Sequence, residues 1–246
     1  MRIIDTVLNL FFPPKCAFCN EVLSGKAPVC NKCMVSLPFL EENSCRICSR
    51  PLEEFSHSVC ESCRKVRPHF THAFIPLIYK DEARRAILNM KRGFHPYYAK
   101  AFAYLIADSI LSSPQYAKFD YITYVPQNRR SRRERGYNQS ELIANELGRL
   151  LGIKCVPTLV RTDDGAPQHT LTASQRRENV KKCYFKGNGT FHGTVLLVDD
   201  IYTTGSTVNR CSMLLKQMGF EKVYAAVLTI RNEDGYSYEE SQNEDN

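Results

Sequence analysis

Apolar residues in this chain follow two rhythms. Short segments at 72–80 (HAFIPLIYK), 120–126 (DYITYVP), 195–198 (VLLV) and 223–230 (VYAAVLTI) predict strands, and the unbroken run at 195–198 predicts a buried one. Between them the spacing lengthens to a helical period. Helices are predicted over 81–92 and over 97–111, where Phe102, Leu105, Ile106 and Ile110 are the apolar positions. A third is capped by Asn138 or Ser140 and runs to about Leu151. From Gly205 onward Val208, Cys211, Leu214, Leu215 and Met218 share one face, and Gly219 stands where a helix stop belongs. Strands alternating with helices predict an α/β fold, a parallel sheet flanked by helices.

The first residues read differently. Ile3, Ile4, Val7, Leu8 and Phe11 fit one face of a short helix, which predicts a docking helix, with attachment to a membrane surface as the alternative. Asp5 and Asn9 interrupt the apolar core that a signal peptide needs. No stretch reaches the roughly 18 apolar residues of a spanning helix, so no membrane span is expected.

Cysteine usage changes the picture most. Eight of the 11 cysteines fall before residue 64, as four C-x2-C pairs: Cys16/Cys19, Cys30/Cys33, Cys45/Cys48 and Cys60/Cys63. The pattern repeats, with 29 residues from Cys16 to Cys45 and 30 from Cys30 to Cys60. A C-x2-C knuckle directs two thiolates at one metal, and two knuckles complete a tetrahedral zinc site. Four pairs imply two zinc ions, structural in kind because four thiolates leave no open position for catalysis. A disulfide framework is the rival and needs a secreted chain. The enzyme-like α/β body argues instead for a cytoplasmic protein. Sequential pairing fits two successive ribbons, and a cross-braced arrangement remains open. His57 duplicates no missing ligand. Cys155, Cys183 and Cys211 are isolated and read as small buried apolar residues. The predicted organisation is a zinc-ribbon module over 1–68 and an α/β domain over 72–231.

The net charge of +7 conceals an asymmetry. Residues 232–246 hold six acids and no Lys or Arg, and are expected to be a disordered tail. Residues 1–231 then carry 33 cations against 20 acids, a balance of +13 that suits polyanionic partners.

The candidate chemistry centres on VLLVDDIYTTGSTV, 195–208. Asp199 and Asp200 fall at the carboxyl end of a predicted strand, where open α/β sheets bind ligands. Thr203, Thr204, Gly205, Ser206 and Thr207 fall at the turn into a helix, whose free N–H groups and dipole suit a phosphate. Carboxylates only accept hydrogen bonds, so beside a phosphate cradle they suit sugar hydroxyls. Together these residues describe a ribose 5-phosphate site; an acidic strand end with a capped helix is the plainer reading. No G-x-x-x-x-G-K-[ST] occurs, which argues against a Walker-type NTPase, and GNGTFHG at 187–193 reads as a turn.

Five guanidiniums, Arg129, Arg130, Arg132, Arg133 and Arg135, crowd what reads as a loop after the 120–126 strand. A solvated basic face or a localisation patch would explain them. Their place at a strand's carboxyl end suits phosphate groups, whose oxygens Arg binds bidentately, or nucleic acid. Tyr137 beside them is a candidate base-stacking surface. Residues 165–185, with Arg176 and Arg177, are a candidate lid or a plain surface segment.

VLLVDDIYTTGSTV closely resembles the phosphoribosyl pyrophosphate (PRPP) motif of type I phosphoribosyltransferases. In that motif the acids contact the ribose hydroxyls and the Thr/Gly loop holds the 5-phosphate. Cysteine knuckles, then RRERGYNQ, PQHTLTASQRRENV and VLLVDDIYTTGST, occur in the order seen in the ComF/amidophosphoribosyltransferase-like family, and LFFPPKCAFC resembles that family's start. The resemblance covers about residues 8–230. It implies a type I phosphoribosyltransferase fold behind zinc fingers, PRPP or ribose 5-phosphate with Mg2+ as ligand, and a part in single-stranded DNA uptake during natural transformation, as for ComFC-type members. It also implies a competence-machinery partner, such as a DNA-uptake helicase. Two other functions stay open: an active transferase for an unidentified base or amine, and a zinc-based interaction module on a retired transferase fold. In type I members the loop at the place of Arg129, Arg130, Arg132, Arg133 and Arg135 holds the pyrophosphate. In a transferase, Asp199 and Asp200 would orient the ribose, an acceptor would attack its anomeric carbon, and those arginines with Mg2+ would take the charge of the departing pyrophosphate. Ile201 and Tyr202 depart from the small aliphatic or Val-Leu pair common there, and Tyr202 is a candidate to narrow the ribose pocket or stack on a base.

Overall fold

The computed structural model describes residues 13–23, 25, 27–52, 57–92, 96–162 and 183–231. The expected docking helix, most of the 165–185 segment and the acidic tail lie outside them. In chain order the described elements begin with α1 (Asn31–Ser36) and α2 (Glu61–Lys65), followed by β1 (Ala73–Phe74), β2 (Leu77–Ile78), α3 (Asp81–Arg92) and α4 (Tyr98–Leu111). Next come β3 (Tyr121–Tyr124), α5 (Arg129–Arg135), α6 (Gln139–Leu151) and β4 (Leu159–Arg161). The series ends with β5 (Tyr184–Lys186), β6 (Thr194–Tyr202), α7 (Ser206–Gln217) and β7 (Lys222–Ile230).

The main sheet runs β1-β7-β6-β3, with β2 also on β7, and every pairing in it is parallel. Its centre is β6 and β7, whose side chains alternate between two cores. Leu196, Val198, Ala226 and Leu228 pack with α3, α4 and α6 on one face. Val195, Leu197, Val223, Ala225 and Val227 pack with α7 on the other. Strands buried on both faces are the physical meaning of their unbroken apolar runs. Each fully buried Leu or Val contributes about 1.5–3 kcal/mol of transfer free energy. The expected α/β architecture, a parallel sheet flanked by helices behind a Cys-rich module, is therefore the one observed.

Three local expectations change. The predicted 72–80 strand is two short strands, because Pro76 between them has no N–H to give β7. The Arg-rich segment is not an open loop but the helix α5, begun by Asn128, whose side chain accepts from the Ser131 N–H, and ended by Gly136 at φ 79°. A small antiparallel pair, β4 with β5, was not expected; each strand has three residues and buries one, Leu159 and Tyr184, while Val160 and Phe185 stay exposed, so the apolar signal is short and unpatterned. Of the isolated cysteines, Cys183 and Cys211 are buried as expected, whereas Cys155 is half-buried. No helix among the described residues is long and apolar enough to cross a membrane.

Candidate functional site

The eight N-terminal cysteines assemble into two clusters, Cys16/Cys19/Cys30/Cys33 and Cys45/Cys48/Cys60/Cys63, with the sulfurs of each within 4.8 Å of one another. The pairing is sequential, which rules out the cross-braced arrangement. Adjacent sulfurs stand 3.6 Å apart at Cys19–Cys30 and at Cys48–Cys60. A tetrahedron with zinc–sulfur bonds of about 2.3 Å has edges of about 3.8 Å, so both cages are of zinc size. Crowding also shows in the thiols' acidity. Hydrogen bonds with Cys48 and Cys63 hold Cys45 well below its ordinary range, while those with Cys45 and Cys48 push Cys63 up. A cation removes that conflict, because all four thiols then ionise.

The 29-residue repeat is structural. Cys16 N–H donates to the Glu21 carbonyl at 2.9 Å, and Cys45 N–H to the Arg50 carbonyl at 2.8 Å. Asn20 and Ser49, the residues after each first knuckle, both take positive φ, 63° and 57°. The isolated bridges Lys15–Val22 and Ser44–Pro51 match as well. The second ribbon then docks on the sheet: Ala73 N–H donates to the Ile47 carbonyl at 2.8 Å, and the Ser49 hydroxyl to the Ala73 carbonyl at 2.5 Å. Those bonds cover the outer edge of β1, a row of groups that would otherwise invite mispairing.

The acid pair lies near the carboxyl end of β6, before the turn into α7. Asp199 is buried, and its Oδ1 accepts from the Ser140 hydroxyl and from the Asp200 N–H, both at 3.0 Å. Burial, then the neighbouring Asp200 charge, pushes its carboxyl above the usual range. For Asp200 burial works in the same direction but is outweighed. The Lys91 ammonium, 2.9 Å from Oδ2, and the more distant Arg135 hold it below its ordinary value. Two adjacent carboxylates thus differ in proton affinity, with Asp200 the anionic member.

The phosphate-loop candidates follow directly. Gly205 caps α7 at φ 73°, and a Cβ there would collide with the Tyr202 hydroxyl, so this position requires glycine. Thr204 Oγ1 and Ser206 Oγ are 2.8 Å apart, and Thr203 and Thr207 are half-buried beside them. Tyr202 does not face a ribose pocket: it is buried against Phe70, with ring centroids 6.4 Å apart, toward the second ribbon. From that ribbon Arg50 donates to the Thr203 carbonyl at 3.2 Å.

The five arginines separate. Arg129, Arg130, Arg132 and Arg133 are exposed on α5, where Arg130 pairs with Glu134 at 2.8 Å and Arg132 with Glu141 at 3.5 Å. Arg135 alone is half-buried and acts electrostatically on Asp200. Tyr137 is half-buried and its hydroxyl donates to the Met90 carbonyl, which ties it to α3 and makes it a poor stacking platform. Asn138 is the α6 cap, which frees Ser140 for Asp199. Lys91, Ser140 and Arg50 are the polar contacts that sequence reasoning did not place in the site. Lys91 carried a weak signal, a cation in the last turn of a predicted helix, but that position has a sufficient local explanation in the helix dipole.

Two tetrathiolate cages in front of a parallel α/β sheet define a zinc-ribbon protein with an acid pair at the end of a central strand. The Double zinc ribbon domain model matches residues 7–64. Competence protein F of Haemophilus influenzae is 29% identical over 224 residues, covering 87% of this chain and 95% of that protein. DNA utilization protein YhgH of Escherichia coli O157:H7 is 28% identical over 215 residues, covering 85% and 94%. Competence protein ComFC of Bacillus subtilis is 23% identical over 227 residues, covering 86% and 87%. The chain is a homologue of these proteins over most of its length and carries a double zinc ribbon, as the family resemblance implied. Among solved structures, adenine phosphoribosyltransferase from Leishmania tarentolae aligns with 70% of this chain and 95% of its own at 12% identity and a TM-score of 0.38. TT1426 from Thermus thermophilus aligns with 56% and 85% at 17% identity and a TM-score of 0.35.

Proposed function

We propose that this protein binds PRPP or ribose 5-phosphate at the end of β6 and acts as a ComF-type competence protein that helps to handle single-stranded DNA. The observation that carries the ligand reading is the sequence of chemistries along one turn. An anionic acid at Asp200 is followed, within a few residues, by a glycine-capped helix start lined with Thr204 and Ser206 hydroxyls. Asp199 and Asp200 would take the ribose hydroxyls, and Thr203, Thr204, Gly205, Ser206 and Thr207 the 5-phosphate. Arg135 and Lys91 supply positive charge beside Asp200, on the side where a pyrophosphate would be neutralised. Mg2+ would enter with PRPP as counter-ion to that pyrophosphate, and the carboxylates are oxygen donors of the class it takes. The names and coverage of the relatives support the competence reading. The exposed arginines of α5 remain a candidate surface for the DNA backbone.

PRPP with Mg2+ should raise the melting temperature of the zinc-loaded protein. Saturation at about a hundredfold over Kd corresponds to about 2.7 kcal/mol. Asp200→Asn should remove most of that shift, because the amide turns one acceptor into a donor facing a hydroxyl. A wild-type protein whose melting is unmoved by millimolar PRPP would refute the ligand reading. Turnover of PRPP with a nucleobase would move the conclusion to an active transferase.

A further inference from the structure

At the opposite end of the sheet lies a second, unassigned cleft of about 860 Å³. It opens between the second ribbon, the approach to β1, and the segment after α4. Arg46, Arg64 and Arg67 line it, and all three are exposed without an ion-pair partner among the described residues. No described carboxylate lines it. Tyr116 also lines it, with 55% of its surface open and its ring set edge-on against Phe119. The floor is firm: His72 Nδ1 lies 2.8 Å from the Arg46 carbonyl, and buried Tyr224 closes the sheet side.

Unpaired guanidiniums cost nothing in water, but three converging on one concave surface repel one another and concentrate anions there. Their planar forks match phosphate oxygens, and an exposed aromatic ring supplies a face on which any base can stack. A cleft with both features, and no carboxylate among the described residues that line it, is built for a strand more than for an isolated anion.

We infer that this cleft is a binding surface for single-stranded nucleic acid, with Arg46, Arg64 and Arg67 on successive phosphates and a base on Tyr116. The inference rests on the DNA-handling reading but places the strand away from both the acid pair and α5. The second ribbon joins the two ends of the sheet: Arg46 belongs to the cleft, and Arg50, four residues on, holds the Thr203 carbonyl of the phosphate loop.

The test is fluorescence anisotropy with a labelled oligothymidylate of about 16 nucleotides, using full-length zinc-loaded protein over a range of salt. Single-strand contacts contribute about 0.7 each to the slope of log affinity against log salt, so replacing all three arginines with Ala should lower that slope by about 2. Tyr116→Ala should weaken binding roughly tenfold with the slope unchanged. Zinc content and the PRPP-dependent melting shift serve as controls for folding. Wild-type binding that survives the triple substitution but falls with Arg129, Arg130 and Arg132 replaced would overturn the cleft while leaving the DNA reading intact. No wild-type binding at all would remove the DNA reading with it. Competition by polyglutamate or thymidine 5′-phosphate as effective as that by unlabelled strand would overturn the strand in favour of an acidic segment or a single nucleotide.

Discussion

The two zinc ribbons are copies in backbone and opposites in employment. Residue 21 of the first and residue 50 of the second occupy the same place after the knuckle, each offering its carbonyl to the first cysteine's N–H. In the first ribbon that residue is Glu21, which reaches Lys32 in solvent at 3.6 Å. In the second it is Arg50, which reaches the loop after the acid pair. The surroundings differ accordingly. The first ribbon packs on the α4 side of the sheet, with Phe18 6.1 Å from Phe102. The second is buried with Tyr202, Val208 and α7, the elements that carry the candidate phosphate loop. A duplicated scaffold has thus become a prop on one face and a brace for the loop after the acid pair on the other.

The strongest way to break this comparison is to remove one zinc at a time. Apparent zinc-binding energies of about 10–16 kcal/mol are folding energy for such a module. Cys60→Ser and Cys16→Ser should each leave one zinc ion per chain by elemental analysis. Amide exchange at 203–207 should accelerate in Cys60→Ser and stay close to wild type in Cys16→Ser. Equal acceleration in both would mean that the second ribbon has no privileged hold on the loop.

A milder cut is the equivalent pair itself. Arg50→Met removes a charged donor from a carbonyl, worth about 1–2 kcal/mol, so PRPP affinity should fall roughly tenfold with both zinc ions retained. Glu21→Met removes only an exposed ion pair and should change neither affinity nor stability by more than about 0.5 kcal/mol. Titration calorimetry giving the same affinity for both variants would reduce the Arg50 contact to packing.

The smallest effect separates the brace from the acids' own chemistry. Asp199 is raised in the folded state, so its contribution to stability is complete below its ordinary value of about 3.9 and is lost as pH rises toward its folded value. Between about pH 6 and pH 8 the unliganded protein should therefore lose a little stability from this group while ligand affinity rises, because the hydroxyls need the carboxylate. Asp199→Asn should flatten both trends. Wild-type affinity that falls over that interval would contradict the role given to Asp199.

Much of this architecture is legible in the sequence because it rests on local chemistry. Unbroken apolar runs marked β6 and β7, the 29-residue cysteine period marked two ribbons, and Gly205 marked the turn into α7. Short-range capping is also readable, although Asn138 and Ser140 compete until the fold assigns one to the helix and the other to Asp199. What was hidden depends on distant partners. Nothing near Lys91 announces Asp200, nothing near Arg50 announces Thr203, and Tyr202 could be aimed only once Phe70 was in place. The Arg-rich helix was missed because like charges at short spacing disfavour a helix, and its two caps, Asn128 and Gly136, carry it instead.

The position of β7 also governs how the molecule can be made. It lies between β1 and β6 although it follows both in the chain, and Ala73 must wait for Ala225 before β1 has a sheet partner. A growing chain can close its ribbons around metal long before the sheet is whole, whereas β6, the partner of β3, precedes β7 by a single helix. Until β7 arrives, two strand edges face an open slot, a non-local arrangement of the slow-folding kind. The second ribbon, already hydrogen-bonded to Ala73, covers the outer edge of β1, away from that slot, and holds the strand in place during the wait. Metal supply during synthesis would then bear on the quality of the sheet as well as on the ribbons themselves.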